Sequence, residues 1–215
     1  TPFDPMLIAS IPPAVAKAAM DSGVAKEPIN DWDKYKEELE ERLGHDNKLV
    51  KLLHNRAKNN PKRVVFTEAD QLYVLKAAQI VYDEGIAHPI LLGRKDEIQR
   101  LKEEIDFEAD VPIIDSKTDE ENSRKKAYAE VFWKERQRRG ISLFYAEKLM
   151  RERNYFAAMM VNQGDADALV TGYSRSYPSI VKPMIELIGM AEGVTRIAAT
   201  NLMITDRGPM FLSDT

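Results

Sequence analysis

From residue 63 onward, short apolar runs alternate with longer amphipathic segments. The runs have the length of buried strands and occur at residues 64–67, 89–93, 111–114 and 168–171. The segments between them repeat apolar residues at helical spacing, which predicts helices. Strands that alternate with helices indicate an α/β fold, with a largely parallel sheet and helices on both of its faces.

Two further details refine this strand pattern. Pro112 lacks an N–H donor, so the run at residues 111–114 belongs at a sheet edge or a strand start. Residues 197–204 and 210–213 are two further strand candidates, joined through the turn sequence Asp-Arg-Gly-Pro. Because the sequence stops within this strand pattern, we expect the domain to be truncated at its C-terminus.

The first 28 residues follow a different pattern. Pro12-Pro13 leads into an alanine-rich stretch that predicts a helix over residues 14–20, stopped by Gly23 as a left-handed cap. A helix of about two turns cannot bury itself alone. We therefore predict that residues 1–28 are a tail that docks either on the rest of this chain or on an upstream domain.

Two amphipathic stripes follow. Asn30-Asp31 caps a helix that Gly44 ends, and a leucine-rich stripe runs from Leu49 to Ala57. These stripes are either interface elements or ordinary core packing. We assign residues 29–60 as connecting helices and residues 61–215 as a partial α/β domain.

The composition excludes several classes of function. The 215 residues carry a net charge of -4 with both signs interspersed, so nucleic acid is not an expected partner. No apolar run approaches the roughly 18 residues that span a bilayer, and the first residues lack a secretory pattern. We therefore predict a cytoplasmic protein. The absence of cysteine removes disulfides, thiolate metal sites and thiol nucleophiles.

The segment from Gly164 to Tyr177 carries the strongest candidate chemistry. It predicts a strand, a polar loop from Gly172 and a helix after Pro178. In a parallel sheet, ligands bind beyond the carboxyl ends of the strands, where this loop lies. The fixed cation of Arg175 and the free N–H groups of a helix start suit a phosphate-bearing ligand. The alternative is a polar loop that only meets solvent. The loop hydroxyl groups belong to Tyr173, Ser174, Ser176 and Tyr177.

Several carboxylates lie near strand ends. Glu68 and Asp70 follow the first strand, at the same edge as Arg175. They are either acid/base groups or carboxylates that complement a helix dipole. Asp165 and Asp167 precede their strand and therefore lie at the opposite edge, where we assign them no chemistry.

Other motifs are weak or absent. The ten glycines contain no Gly-x-Gly pair, so the dinucleotide fingerprint and the Walker loop are missing. The three histidines stand apart, which favours surface or packing roles over metal binding. Arg136, Arg138 and Arg139 end a long predicted helix. They either grip a phosphorylated ligand or are solvated cations that complement the helix dipole.

These motifs together resemble the phosphate acetyltransferase and phosphate butyryltransferase family. The family's opening is similar to Arg63-Val-Val-Phe-Thr-Glu-Ala, Val74-Leu-Lys-Ala-Ala and Gly85-Ile-Ala-His-Pro-Ile-Leu-Leu-Gly. Its central strand, loop and helix are similar to Gly164-Asp-Ala-Asp-Ala-Leu-Val-Thr-Gly followed by Lys182-Pro183. The resemblance implies a phosphotransacetylase-like fold, related to that of isocitrate dehydrogenase.

The N-terminal tail resembles a second group. Residues 11–25, with Pro28-Ile29 after them, are similar to the junction in long bacterial malic enzymes, where a phosphotransacetylase-like domain follows a malate-decarboxylating domain. The resemblance implies a homo-oligomeric parent enzyme that converts malate to pyruvate and CO2 with NADP and Mg or Mn, which bind in the absent upstream domain. It also implies that acetyl-CoA binds to this domain as an effector and is not turned over.

Departures from the transferase pattern favour a non-catalytic domain, and we assign no catalytic residue. The family's Pro-Glu-Gly is Thr67-Glu68-Ala69 here, and its Gly-Ala-x-His-Ser/Thr-Thr loop is Gly172-Tyr-Ser-Arg-Ser-Tyr. We expect Tyr173 and Tyr177 to fill the phosphate pocket. Arg136 and Lys182 stand where the family has basic CoA-site residues.

Three functions therefore remain open at the level of sequence. They are a regulatory acetyl-CoA-binding domain, an active phosphate acetyltransferase and an oligomerisation domain. The ligand-binding residues expected for the first are Glu68, Arg136, Gly172, Tyr173, Ser174, Arg175, Ser176 and Lys182.

Overall fold

The computed structural model describes residues 5–42, 48–205 and 208–214. The described residues divide into two compact units. One unit draws on Thr1–Leu52 and Asn201–Leu212, and the other on Leu53–Thr200 and Ser213–Thr215. The second unit contains the main sheet and the candidate site.

Helices α1 (Pro5–Asp21), α2 (Trp32–Arg42) and α3 (Lys48–Asn59) come first along the chain. The predicted start of α1 after the proline pair is wrong, because α1 begins earlier and contains both Pro12 and Pro13. The fixed φ of proline, about −65°, is a helical value. The pair therefore removes two N–H donors but keeps helical backbone angles.

Two predicted helix signals near these elements are confirmed. Gly23 has a φ of 74° just after α1, as a left-handed cap requires. The Asp31 carboxylate accepts the N–H groups of Asp33 at 3.1 Å and Lys34 at 3.0 Å, and it thereby caps α2. The predicted end of α2 at Gly44 lies outside the described residues.

Four parallel strands of the described chain form the main sheet, in the order β3-β2-β1-β4. The strands are β1 (Lys62–Phe66), β2 (Ala87–Leu92), β3 (Ile113–Ile114) and β4 (Ala168–Val170). Val65 of β1 pairs with Ile90 of β2 and with Leu169 of β4, so β1 lies inside the sheet. The predicted parallel sheet is confirmed, and β3 takes the edge position that Pro112 indicated.

Helices lie on both faces of this sheet, as predicted. They are α4 (Leu72–Asp83), α5 (Lys95–Glu104), α6 (Asn122–Arg136), α7 (Leu143–Leu149), α8 (Arg153–Asn162) and α9 (Tyr177–Pro183), which continues as a π-helical turn, Met184–Ile188. Phe66 and Leu91 share one apolar core with α4 and α5. Val65, Ile90 and Leu92 share the other with α6, α7 and α8. Alternate strand residues enter opposite cores, as the period of two requires.

Helix α8 is the most deeply buried of the described helices. Each residue from Tyr155 to Met160 is at most 8% exposed. The helical structure breaks just before α8, because α7 ends at Leu149 and α8 begins at Arg153. The break sets the N-terminus of α8, and the polar residues it carries, at the edge of the buried core.

Two strand predictions are corrected. Strand β4 occupies the second edge of the sheet, and Val170 is 50% exposed, whereas the apolar run predicted a buried strand. An edge strand has a partner on one side only, which leaves its side chains less covered. Strands β5 (Ala199–Thr205) and β6 (Gly208–Asp214) exist as predicted but pair with each other in a separate sheet. None of the described helices combines the length and apolarity that a bilayer span requires.

Candidate functional site

The turn after β1 carries two buried carboxylates. Glu68 is 5% exposed and Asp70 is 7% exposed, and both follow the carboxyl end of the strand. A charge removed from water is costly unless hydrogen bonds or opposite charges compensate it. The partners of these two groups therefore define the architecture of this edge of the sheet.

Glu68 holds the loop that follows β4. Its Oε1 accepts the N–H groups of Gly172 at 3.1 Å and Tyr173 at 2.9 Å, and its Oε2 accepts the N–H of Ser174 at 3.0 Å and the Ser174 hydroxyl. Burial raises the pKa of Glu68, but these hydrogen bonds together outweigh it, so the pKa lies below its ordinary value. Three consecutive N–H groups of this loop, from Gly172 to Ser174, are thus occupied by the protein's own carboxylate.

Asp70 forms the second anchor of this edge. Its Oδ1 lies 2.7 Å from Nη1 of Arg153, its Oδ2 lies 2.6 Å from Nη2, and Nε of Arg94 lies 3.4 Å from Oδ2. Burial raises the pKa of Asp70, but the bonds and charge of Arg153, with help from Arg94, bring the pKa below its usual range. A Cβ atom at Gly93 would approach the Asp70 backbone N to 3.1 Å, so this close packing favours glycine.

A cavity of about 230 Å³ opens beside these anchors. Arg153 lines it from the start of α8, and Arg175 and Lys182 line it from the loop and from α9. Arg175 forms no hydrogen bond or ion pair with another described residue, so its guanidinium is available to a ligand. The cavity therefore combines a free cation with a second one, Lys182, whose ammonium lies 4.0 Å from Glu186.

The remaining wall mixes apolar and neutral polar groups. Tyr155 donates its hydroxyl to Oε2 of Glu186 at 2.7 Å; burial, followed by this bond, raises the pKa of Tyr155 well above its ordinary value. Asn154 connects two elements, because it accepts the Thr171 hydroxyl at 2.9 Å and donates to the Ser179 carbonyl at 3.3 Å. These contacts fix the loop and α9 on the rigid start of α8. Tyr145, Leu149, Glu152 and Pro183 complete the lining.

The structure gathers some of the predicted site residues and separates others. Glu68, Arg175 and Lys182 all line the cavity. Gly172 and Ser174 lie beside it through their bonds to Glu68, and the Ser176 hydroxyl instead contacts Ser179 Oγ at 3.3 Å.

The expectation that Tyr173 and Tyr177 fill the pocket is wrong. Tyr173 is 56% exposed and Tyr177 is 73% exposed, and neither lines the cavity. The backbone N–H of Tyr173 is held on Glu68, while its ring lies outside, with its centroid 6.3 Å from that of Tyr73.

Arg136 contacts a different part of the fold. Its guanidinium donates to the carbonyl oxygen of Glu186, with Nε at 2.9 Å, and to that of Ile185 at 3.2 Å. These are carbonyl groups of the π-helical turn, and Arg136 does not line the cavity. A ligand contact by Arg136 stays a prediction from the family resemblance.

The sequence reasoning missed Arg153 and Asn154. Neither residue is among the predicted site residues, but both lie at the cavity wall. The sequence signal that could have found Arg153 and Asn154 is the change from a charged stretch to the apolar run that begins at Tyr155. Polar residues at the start of a buried helix lie at an edge of the sheet. Within the described ranges, no cluster of three or more His, Asp or Glu side chains is arranged to hold a metal ion.

A parallel sheet with helices on both faces, and a cavity lined by cations beyond the carboxyl ends of its strands, define an α/β domain with a candidate site for a small anionic molecule. Comparison with known proteins gives the family. Residues 48–215 match the family described as phosphate acetyl/butaryl transferase. The chain belongs to this family, and the fold and family expected from the sequence are confirmed.

Curated relatives extend this result beyond the family match. The chain is 37% identical over 219 residues to an NADP-dependent malic enzyme of Salmonella typhimurium, covering 100% of this chain and 28% of the relative. It is 33% identical over 155 residues to a phosphate acetyltransferase of Thermoanaerobacterium thermosaccharolyticum, covering 72% of this chain and 46% of that protein. The chain thus spans about a quarter of the length of the malic enzymes it matches, and the resemblance of its N-terminal tail to them is confirmed.

Solved structures agree with the sequence relatives. The EutD phosphotransacetylase from Staphylococcus aureus has a TM-score of 0.66 and 25% identity, with 76% of this chain and 49% of that chain covered. A phosphotransacetylase from Streptococcus pyogenes has a TM-score of 0.63 and 29% identity, with 72% and 46% covered.

Proposed function

We propose that this chain is the regulatory, acetyl-CoA-binding domain of a malic enzyme and does not itself transfer the acetyl group. The proposed parent is a cytoplasmic homo-oligomer that oxidises malate to pyruvate with NADP. The observation that carries the proposal is the cavity beside the Gly172 loop, with the guanidinium of Arg175, which pairs with no described residue, at its wall. The similarity to malic enzymes along the whole chain supports the assignment of the parent.

The size of the cavity decides which part of the effector it takes. Its volume of about 230 Å³ is below the range of about 300–1,000 Å³ typical of pockets that enclose a whole drug-sized ligand. It suits the acetyl-pantetheine arm, whose amide groups can bond to Asn154 and whose chain can pack on Leu149. The phosphate groups of the nucleotide would then remain near the exposed Arg175 at the mouth.

The position of Glu68 argues against acetyl transfer. Transfer to phosphate needs donors aimed at the oxygen that becomes negative, and needs the phosphate anion held in line. Three consecutive N–H groups, from Gly172 to Ser174, are the natural donors of this loop, but all three point at the Glu68 carboxylate. A fixed negative charge at that point repels both phosphate and oxyanion.

Calorimetric titration with acetyl-CoA tests the site. Arg175→Ala should weaken binding by about 1–3 kcal/mol, because a charge-assisted bond to phosphate is lost. Arg138→Ala is the matched control, since Arg138 is an exposed arginine that does not line the cavity. Equal affinity in the wild type and in the Arg175 variant would remove Arg175 from the site.

Enzyme assays on the protein as it occurs in the cell separate the regulatory function from catalysis. Acetyl-CoA should inhibit malate-dependent reduction of NADP, and Arg175→Ala should shift that inhibition to higher effector concentration. Formation of acetyl phosphate from acetyl-CoA and phosphate should be absent. Detection of acetyl phosphate at an enzymatic rate would overturn the non-catalytic part of the proposal.

A further inference from the structure

A second cavity, of about 340 Å³, lies between α6 and α7. The helix α7 separates it from the first one. Tyr145 and Leu149 of α7 line the first cavity, whereas Phe144 and Lys148 line the second. Residues four apart share one face of a helix, so each cavity uses its own face of α7. The second cavity is therefore distinct from the first one.

The lining of this second cavity is strongly basic. Four cations line it, together with a single carboxylate, Glu147, so the ionised groups sum to a net charge of +3. Among the described residues, none of the four cations forms an ion pair. Like charges around one concave space repel each other and raise the local concentration of anions. The four cations are Lys125, Lys126, Lys148 and Arg151.

Lys125 makes the strongest case for an absent counter-charge. It is only 5% exposed, yet the described group to which it donates a hydrogen bond is neutral, the carbonyl oxygen of Thr118 at 2.7 Å from Nζ. A buried ammonium is costly unless it is paired. It also has three donors, and the Thr118 carbonyl uses one of them. An anion in the cavity would supply the missing charge and accept the remaining bonds.

We propose that this basic cavity binds a small molecule that carries two or more phosphate groups. Its volume lies at the lower end of the range for small-molecule pockets, which suits a diphosphate with a compact organic part. Phe144, which is 78% exposed at the rim, offers a flat apolar surface for that part. The phosphates belong either to an acyl-CoA that reaches around α7 or to a separate phosphorylated metabolite.

Calorimetry with inorganic pyrophosphate tests the proposal. We expect binding at about 20 mM salt that weakens at about 200 mM, as screening requires. The double variant Lys148→Glu/Arg151→Glu should bind pyrophosphate about tenfold more weakly or worse. The matched control is Lys76→Glu/Lys134→Glu, which makes the same change of charge at exposed positions outside the cavity and should change the affinity less than about twofold.

Two further measurements keep the result unambiguous. Lys125→Met removes the buried charge, so the rise in Tm that pyrophosphate gives the wild type should shrink in this variant even though the protein folds. Titration of acetyl-CoA into protein saturated with pyrophosphate identifies the source, because competition means that the cavity takes the phosphates of CoA and independent binding means a separate metabolite. Wild-type protein that binds no pyrophosphate at low salt, or equal losses in the two double variants, would overturn the proposal.

Discussion

An arginine–aspartate pair lies at each end of the parallel strands of the main sheet. We call these ends the amino edge and the carboxyl edge. The pair at the amino edge is exposed, and the pair at the carboxyl edge is largely buried. At the amino edge, Nη2 of Arg63 lies 3.0 Å from Oδ1 of Asp167, and their side chains are 46% and 36% exposed. At the carboxyl edge, Nη2 of Arg153 lies 2.6 Å from Oδ2 of Asp70, and the exposures are 18% and 4%. The two pairs have similar chemistry and differ mainly in how much water reaches them.

The difference in exposure distinguishes the amino edge, where the ion pair only stabilises the fold, from the carboxyl edge, where the candidate ligand site lies. Water screens the Arg63–Asp167 pair, so its loss leaves two groups that solvent can satisfy. Loss of Asp70 leaves the Arg153 guanidinium partly buried and without a described counter-charge. The carboxyl edge also keeps Arg175 without a described protein partner beside the cavity. The amino edge, where each aspartate has a protein partner, offers a ligand nothing comparable.

The largest effect should come from breaking the buried pair. Asp70→Ala should destabilise the fold by about 3–5 kcal/mol, because the Arg153 guanidinium remains partly buried and unpaired. The measurement is urea unfolding of the wild type and the variant. Asp83→Ala, at an exposed position near the end of α4, is the control and should change stability little.

A double variant sharpens this test. Asp70→Ala/Arg153→Ala should cost less than the sum of the two single changes, since removal of both charges leaves no isolated ion. Additive losses would mean that the two side chains contribute independently, and the account of Asp70 as an anchor for Arg153 would then be wrong.

An intermediate effect, with a pH dependence, should follow from Glu68→Gln. At neutral pH the loss should be about 1–3 kcal/mol, because an amide NH2 replaces one of the two oxygens that accept loop N–H groups. The folded-state pKa of Glu68 is lowered, so its contribution is complete above the ordinary pKa of about 4.3 and is lost as the pH falls through the folded value.

Urea midpoints at pH 7 and pH 3 check this sign. The gap between wild type and Glu68→Gln should be narrower at pH 3, below the ordinary pKa of glutamate, because the stabilisation by the carboxylate is lost as the group protonates and protonated glutamate resembles glutamine in its hydrogen bonding. An equal gap at both pH values would show that the carboxylate charge does not hold the loop.

The sequence predicted the order of strands and helices well, because alternating apolar runs report burial directly. It predicted that Glu68, Asp70 and Arg175 share one edge, since that follows from strand direction alone. It could not predict that Glu68 takes the N–H groups of Gly172, Tyr173 and Ser174. That contact joins residues about a hundred positions apart and depends on the register of β1 against β4.

Two further positions show what a single sequence does not predict. The apolar character of β4 indicated burial, but its edge position left Val170 half exposed. Arg136 has the residue type and the family position of a ligand contact. Its guanidinium, however, donates hydrogen bonds to the carbonyl oxygens of Ile185 and Glu186. Side-chain direction and edge position are tertiary properties, and a single sequence carries little record of them.

The smallest effect should come from the exposed pair at the amino edge. Asp167→Asn removes the charge that Arg63 faces, but Nη1 of Arg63 still donates to the carbonyl oxygen of Asp165 at 3.1 Å and Nη2 to that of Gly164 at 2.9 Å. Arg63 lowers the pKa of Asp167 to about 2 through its hydrogen bonds and charge, so the contribution of the pair is complete above about pH 4 and is lost as the pH falls toward 2. The shift in urea midpoint at pH 7 should be smaller than that of Glu68→Gln, and about 0.5 M NaCl should reduce it further, because salt screens exposed charges. A shift as large as that of Asp70→Ala, unchanged by salt, would mean that exposure does not distinguish the two edges.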